Sequence, residues 1–582
     1  MEGREAASHS SYTRERGGNF RVDPRVDAAV GAVVSSQTPS CIDLVVRRSP
    51  TQQFRARCRQ LLLVLSTQPA ASCHTRAIAG AVAYERHCPE TTLLYRTIQE
   101  HWATFLADLE EGGGELPAFV LDEFEAYLRC GILVHGLLRV RCKDCGHSRV
   151  VAFACKRRGF CPSCLGRRMA DTAAFCVDHL FPRVPARQYV LSLPYALRFK
   201  MAYSPEATSV VLTAFISAIN SDLRRRARKR KLRGRLQTGS LTVVQRFGSS
   251  LNLNIHFHVI EMDGVYAEQP DGNLLFHPLP APSDEDIAHL ARAVCRKVTR
   301  YLGQLTGEDK DQQLTLDHLA NASVQGLVAT GPHRGCRVLR LGGTGEDAEA
   351  AIIGKRCAEV AGFNVHANVR VGANDRVGLE HLCRYLARPP IANDRLQELP
   401  DGRLALRFKQ VWRDGTTHIV FTPHELIEKL IPLIPRSRCH LVRYHGILGP
   451  AAKDRAKVVP QPLALPAPDT ASAEAASADK AGEGESRDID ITKMPRVSRL
   501  PWAVLLKRVF MTDALTCPKC NGRMKILAAI TNPEAVRKIL DHLGLPSEAP
   551  RRTAARPPPQ TDFSGTADLA DFDYADPPCP EW

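Results

Sequence analysis

Residues 251–266 read LNLNIHFHVIEMDGVY. The run of β-branched and aromatic residues predicts a strand over 253–265. Side chains alternate along a strand, so His256 and His258 share one face while Phe257 turns into a core. Asn252 and Asn254 precede them on the histidine face. LTVVQRF (241–247) predicts a second strand, and RQYVLSLPYALRF (187–199) a strand and turn. Helices are expected over 205–229 and 284–305, and in 369–390 a strand and loop lead into a helix stopped by Pro389-Pro390. The Asp414-Gly415 turn signal joins two further strands as a hairpin. The mixture predicts an α+β chain.

A lone His-apolar-His triplet is ordinarily packing. Two neutral imidazoles on one face can also hold Mg²⁺ or Mn²⁺ with a third ligand, leaving positions for phosphate oxygens. The rest of the chain favours the second reading. RCKDCGHSRVVAFACKRRGFCPSC (141–164) carries Cys142-x2-Cys145, fifteen residues, then Cys161-x2-Cys164. Each pair places two thiolates on one tight turn, and two such turns close a tetrahedral Zn²⁺ site. The spacing predicts one structural zinc site of Cys142, Cys145, Cys161 and Cys164. Cys130, Cys155 and His147 are extra candidates for a replaced ligand, a second partial site or packing. Cys517-x2-Cys520 is either half a knuckle completed elsewhere or a degenerate ribbon.

The chain has 582 residues, with 78 Lys and Arg against 62 Asp and Glu, a surplus of 16 positive charges. That balance favours a polyanionic partner, most simply nucleic acid. No apolar run is long enough to span a bilayer and no secretory signal is evident, so no membrane role is expected and the location is read as cytoplasmic. The 19 cysteines, in a chain without an export signal, argue against a disulfide framework. Phosphate contacts are expected from Arg157, Arg158, Arg167 and Arg168 beside the cysteines. RRRARKRKLRGR (224–235) is expected to form a strand-binding arm through Arg224, Arg225, Arg226, Arg228, Lys229 and Arg230.

Four ordered stretches carry a family likeness: 127–164, 243–266, 379–392 (LEHLCRYLARPPIA) and 408–450, with RVF…CPKCNGRMKILAAI near the C-terminus in support. The chain resembles the rolling-circle insertion-sequence transposases, members of the HUH single-strand DNA endonucleases. The likeness covers roughly 84–545. It implies a helical, zinc-ribbon-like DNA-recognition module at 84–180 and an HUH domain at 186–450 with a central antiparallel sheet flanked by helices. A linker at 451–498, a small CxxC unit at 499–545 and a disordered tail at 546–582 would follow. Residues 1–83 read as a poorly ordered extension upstream of the family's usual start.

The resemblance also implies roles. His256 and His258 would bind the catalytic Mg²⁺ or Mn²⁺, and Tyr385 would attack the DNA phosphate to give a 5′-phosphotyrosine and a free 3′-hydroxyl. Free tyrosine ionises only near about 10, so a metal that polarises the phosphate offsets its weak nucleophilicity. Two-tyrosine members carry YxxxY on this helix. Here the position four before Tyr385 is His381, on the same helix face. The chain therefore resembles the single-tyrosine branch related to the common-region elements, and His381 is a candidate to assist the metal or the phenol. Gln245, His381 and His366 are candidates for the third metal ligand. Tyr444 and Tyr266 are rival tyrosines. Arg384, Arg388, Lys409 and Arg413 are expected near the phosphate. The partner would be single-stranded DNA at element ends and target, with a homo-oligomer possible and a bacterial nucleoid the setting. A plasmid replication initiator or relaxase with the same chemistry, and a zinc-dependent DNA-binding regulator without catalysis, are the alternatives.

Overall fold

The computed structural model describes residues 86–302, 314–341, 354–412, 414–460 and 514–556, together with 504, 505 and 508. The expected N-terminal extension, most of the linker and the last part of the tail lie outside them, as does Arg413.

Two helices open the described chain, α1 (Leu93–Glu111) and α2 (Ala118–Arg129). Leu94, Ile98, Trp102 and Phe105 recur at helical spacing on α1 and are buried. Trp102 stacks on Phe124 of α2 with ring centroids 4.0 Å apart. A hairpin follows, β1 (Leu137–Cys142) and β2 (Ser148–Ala152), then α3 (Pro162–Phe175). Next come β3 (Ala186–Ser192), α4 (Tyr195–Tyr203) and α5 (Pro205–Lys229). The turn expected after β3 is thus the start of a helix. Ser204 caps α5 by accepting the Ala207 amide at 3.1 Å, with Pro205 at the first helical position.

The strands β4 (Gly239–Phe247) and β5 (Leu253–Met262) follow, then α6 (Asp284–Leu302) and α7 (Leu314–Gln325). After these lie β6 (Cys357–Val360), β7 (Phe363–His366) and α8 (Arg376–Leu386). The hairpin β8 (Leu404–Arg407) and β9 (His418–Phe421) leads into α9 (Pro423–Leu430) and β10 (Val442–Gly446). The chain ends its described course with β11 (Met524–Ile530) and α10 (Pro533–His542).

The central sheet is antiparallel in the order β6-β7-β3-β5-β4-β10, with Arg370–Val371 also pairing β3. The histidine strand therefore lies inside the sheet, covered on both faces. On one face Phe257, Val259 and Ile255 pack with α5, α6 and α7 in the main core. On the other, Leu241, Val243 and Ile260 pack with Leu379, Leu382, Cys383 and Leu386 of α8 and with residues of α3. A second antiparallel sheet has the order β11-β1-β2. Its outer strand comes from the C-terminal unit, which the sequence reading treats as separate.

Candidate active site and metal centres

The helix α8 is set over the histidine face by its own sequence. Asp375 caps it, accepting the Gly378 amide at 2.8 Å. Leu379, Leu382, Cys383 and Leu386 form the buried stripe, and Pro389 follows the last turn. Arg376 ties the first turn to the carbonyls of Phe181 at 2.9 Å and Pro182 at 3.2 Å. That stripe leaves Tyr385 at the rim of the helix, 46% exposed.

Tyr385 stands edge-on to His258 with ring centroids 6.1 Å apart, and His258 stands 4.9 Å from His256. Burial pushes the His256 imidazolium down to about 4, with Arg388 and Arg198 adding to the effect against the Asn254 carbonyl. Burial likewise holds His258 well below the ordinary histidine range, with His256 and Arg388 contributing. Both rings are therefore neutral near pH 7. The Asn254 carbonyl can only accept, so His256 Nδ1, 2.9 Å away, carries the proton and Nε2 keeps its lone pair. Gln188 of β3 lies 2.7 Å from His258 Nδ1. A glutamine amide presents oxygen or nitrogen in nearly the same place. With its oxygen inward, His258 takes the same tautomer as His256. Nothing in the sequence singled out Gln188, because it becomes a histidine neighbour only when β3 pairs with β5.

Among the candidate third ligands, Gln245 is directly opposite His256 in the β4–β5 register. Its Nε2 donates to Leu386 O at 2.6 Å, at the C-terminal end of α8, while its Oε1 is buried without a hydrogen-bond partner among the described residues. Asn254 Oδ1 is a second such orphan on the histidine strand. His366 lies in the row of Val190 and His258 but two strands away, roughly 10 Å. His381 is exposed one turn before Tyr385. Two neutral imidazoles and an unsatisfied amide oxygen are donors of the kind a divalent cation takes.

Cations surround the phenol. Arg388 Cζ lies 4.9 Å over the Tyr385 ring and Lys409 Nζ 5.9 Å from its centroid. Burial lowers the Lys409 ammonium, and Arg388 and Arg395 add repulsion. Arg384 sits half-buried beside Tyr385 on α8. Of the rival tyrosines, Tyr444 packs at 6.2 Å against Phe175, in register with Leu241 rather than with the histidine rows. Tyr266 is buried, which pushes its hydroxyl up to about 12.

The single zinc site expected of Cys142, Cys145, Cys161 and Cys164 is divided by the structure. Cys161 and Cys164 join Cys130 and Cys155, while Cys142 and Cys145 join Cys517 and Cys520. The reason is the hairpin. Strand β1 carries Cys142 roughly 15–20 Å from its start, whereas α2 and the chain after β2 bring Cys130 and Cys155 to the start of α3. In the first cluster the sulfurs of Cys130 and Cys164 are 3.7 Å apart, as are those of Cys130 and Cys161. A tetrahedron with Zn–S near 2.3 Å has edges of about 3.8 Å. Neighbouring thiols, Cys130 foremost, pull Cys164 down and push Cys155 and Cys161 up. Only a cation lets all four be thiolates together.

The basic residues divide as well. Arg226 is buried, bonded to Asp222 at 2.8 Å and to the Pro280 carbonyl at 2.6 Å, so it is a core ion pair rather than a DNA contact. Arg225 bridges Asp222 and Asp286, and hydrogen bonding to both leaves it little freedom. Arg158 is committed to the carbonyls of Cys439 at 2.5 Å and Arg436 at 3.4 Å. Arg157 is within 4.0 Å of Asp122. Arg167, Arg168, Arg224, Arg228, Lys229 and Arg230 are exposed.

Residues 239–456 match a transposase family model (Y2_Tnp), and residues 97–193 match the transposase zinc-binding domain of the IS91 type. The chain is 24% identical over 365 residues to the transposase for insertion sequence element IS801 of Pseudomonas savastanoi pv. phaseolicola, covering 60% of this chain and 74% of that protein. No solved structure matches. The cluster of Cys130, Cys155, Cys161 and Cys164 lies within the zinc-binding match and the histidines, Gln245 and Tyr385 within the other, and two such matches in order along one chain support an insertion-sequence transposase of the IS91 and IS801 type with a zinc-binding domain.

Proposed function

We propose that the chain cuts and rejoins single-stranded DNA through Tyr385, on an HUH-type site. The observation that carries this is the edge-on approach of a half-exposed tyrosine to a pair of buried, neutral histidines. His256 and His258 would hold Mg²⁺ or Mn²⁺ with Gln245 Oε1, and the bound ion would polarise the scissile phosphate.

The chain's own residues do the rest. Gln188 and the Asn254 carbonyl orient the two rings. Arg388 and Lys409 place positive charge beside the tyrosine ring, where it draws in a phosphate. Tyr385 Oη bonds to phosphorus as the bond to the 3′ oxygen breaks. The phenol proton is released and the 3′ oxygen gains one. The 5′-phosphotyrosine keeps the phosphodiester energy, so a 3′-hydroxyl can reverse the step without ATP. His381, exposed on the same helix face, is in reach of a strand lying along α8. The exposed cations at the end of α5 suit phosphate contacts along that strand.

The test is incubation of the chain with single-stranded element ends and Mn²⁺, followed by denaturing electrophoresis. A covalent protein–DNA adduct is expected from the native chain and from Tyr444→Phe, and none from Tyr385→Phe. An undiminished adduct with Tyr385→Phe overturns the assignment.

A further inference from the structure

The second cysteine cluster is built from two matching turns far apart in the chain. Cys142 to Gly146 and Cys517 to Asn521 each form a CxxC turn ending on a left-handed residue, Gly146 at φ 71° and Asn521 at φ 57°. The Gly146 amide donates to Cys142 O at 3.2 Å and the Asn521 amide to Cys517 O at 2.9 Å. The Cys142 amide then donates to His147 O at 2.8 Å and the Cys517 amide to Gly522 O at 2.9 Å. Their sulfurs interleave, Cys142 with Cys520 at 3.4 Å and Cys145 with Cys517 at 3.5 Å. These approach the edges of a tetrathiolate zinc site, about 3.8 Å. A side chain at Gly522 would collide with Asp144, so the turns are fitted closely. Neither family match reaches Cys517 or Cys520.

The same C-terminal segment touches the tyrosine helix. Arg508 donates to Glu380 of α8 at 2.8 Å and pairs with Asp178, which follows α3. Leu505 is buried against Ala170 and Ala174 of α3.

We infer that Cys142, Cys145, Cys517 and Cys520 form a second zinc site, a metal clasp that ties the β1–β2 hairpin to the C-terminal segment and seats Arg508 as a positioning residue for the Tyr385 helix. Two turns donated by segments 372 positions apart are held in one site by the ion. The clasp stands on the cysteine geometry alone. The Arg508 limb rests on the proposed role of Tyr385.

The experiment begins with zinc content of the full chain by native mass spectrometry. Two ions are expected in the native chain, and one in Cys517→Ser/Cys520→Ser and in Cys142→Ser/Cys145→Ser. The ion retained by the Cys130 cluster reports that these variants have folded. Cys520→His, which supplies another zinc ligand, is expected to restore two. An unchanged count in both serine variants, or one ion in the native chain, overturns the clasp. For the second limb, Arg508→Ala is expected to keep two zinc ions and its affinity for single-stranded DNA while forming the adduct at least tenfold more slowly. Arg508→Lys is expected to recover part of that rate. An Arg508→Ala rate equal to native overturns the positioning role. Persistent adducts from Tyr385→Phe would instead sink the nuclease assignment and leave the zinc counts standing.

Discussion

Gln245 uses only half of its amide within the fold. Its nitrogen fixes the end of α8, and its oxygen has no partner among the described residues. Gln245→Glu keeps an oxygen donor and adds charge, whereas Gln245→Ala removes it. Isothermal titration of Mn²⁺ is expected to show binding weakened at least tenfold in the alanine variant and retained in the glutamate variant. Glu261 makes a prediction of another kind. It is fully buried, with Oε1 accepting the Gly239 amide at 3.0 Å and Oε2 unpartnered among the described residues. Burial pushes its carboxyl up to about 8. A raised folded value means the contribution is complete below the unfolded value near about 4.3 and is lost as pH rises through 8. Glu261→Gln is expected to gain relative to native by about 4 kcal/mol between pH 5 and pH 9, each pKa unit being about 1.4 kcal/mol. Paired urea melts at the two pH values measure it.

The tyrosine helix depends on its cap. Asp375→Ala leaves the Gly378 amide without its acceptor and is expected to cost about 1 kcal/mol. Asp375→Asn is expected to recover most of it, as read by thermal melts. At this scale the sequence was most legible where periodicity is strong. The helix expected at 205–229 is Pro205–Lys229, and the strand begun at 253 ends at Met262, where Asp263 turns toward Arg187 at 2.7 Å. The shared face of His256 and His258 was readable because a strand fixes which side chains lie together, whereas Tyr385 was singled out by the family likeness. The partners of each cysteine pair were not. A CxxC turn specifies its own two thiolates and says nothing of the turn that completes it. The short strands β6, β7 and β10 escaped for a related reason: each is four or five residues long, too short for a periodic signal.

Over the whole molecule, the excess of 16 positive charges predicts DNA binding that weakens steeply with salt. Under the proposed function that binding falls to the cations that stay exposed. Replacing Arg228, Lys229 and Arg230 with alanine is expected to weaken binding across sequences and to flatten the log–log salt slope by about 1 per residue that contacts phosphate. Arg226→Ala is expected to leave the slope unchanged and to lower stability, because its guanidinium is spent on Asp222. Fluorescence anisotropy against potassium chloride separates the two. The residues after 545 also differ from the tail expected there. Arg552 pairs with Glu125 at 2.7 Å and the Arg556 amide donates to Thr104 at 3.1 Å, so the chain through 556 runs back along α1 and α2.

The placement of β1 between β2 and β11 has a consequence in time. Its partner on one side emerges from the ribosome only some 380 to 390 residues later, roughly 20 to 80 s at ordinary elongation rates. For that interval β1 is an open edge, the kind of surface that recruits foreign strands. Arg139 and Arg141, alternating with Leu138, Val140 and Cys142, charge that edge while it waits. Neutralising both is expected to raise aggregation during synthesis more than it changes the stability of the finished protein.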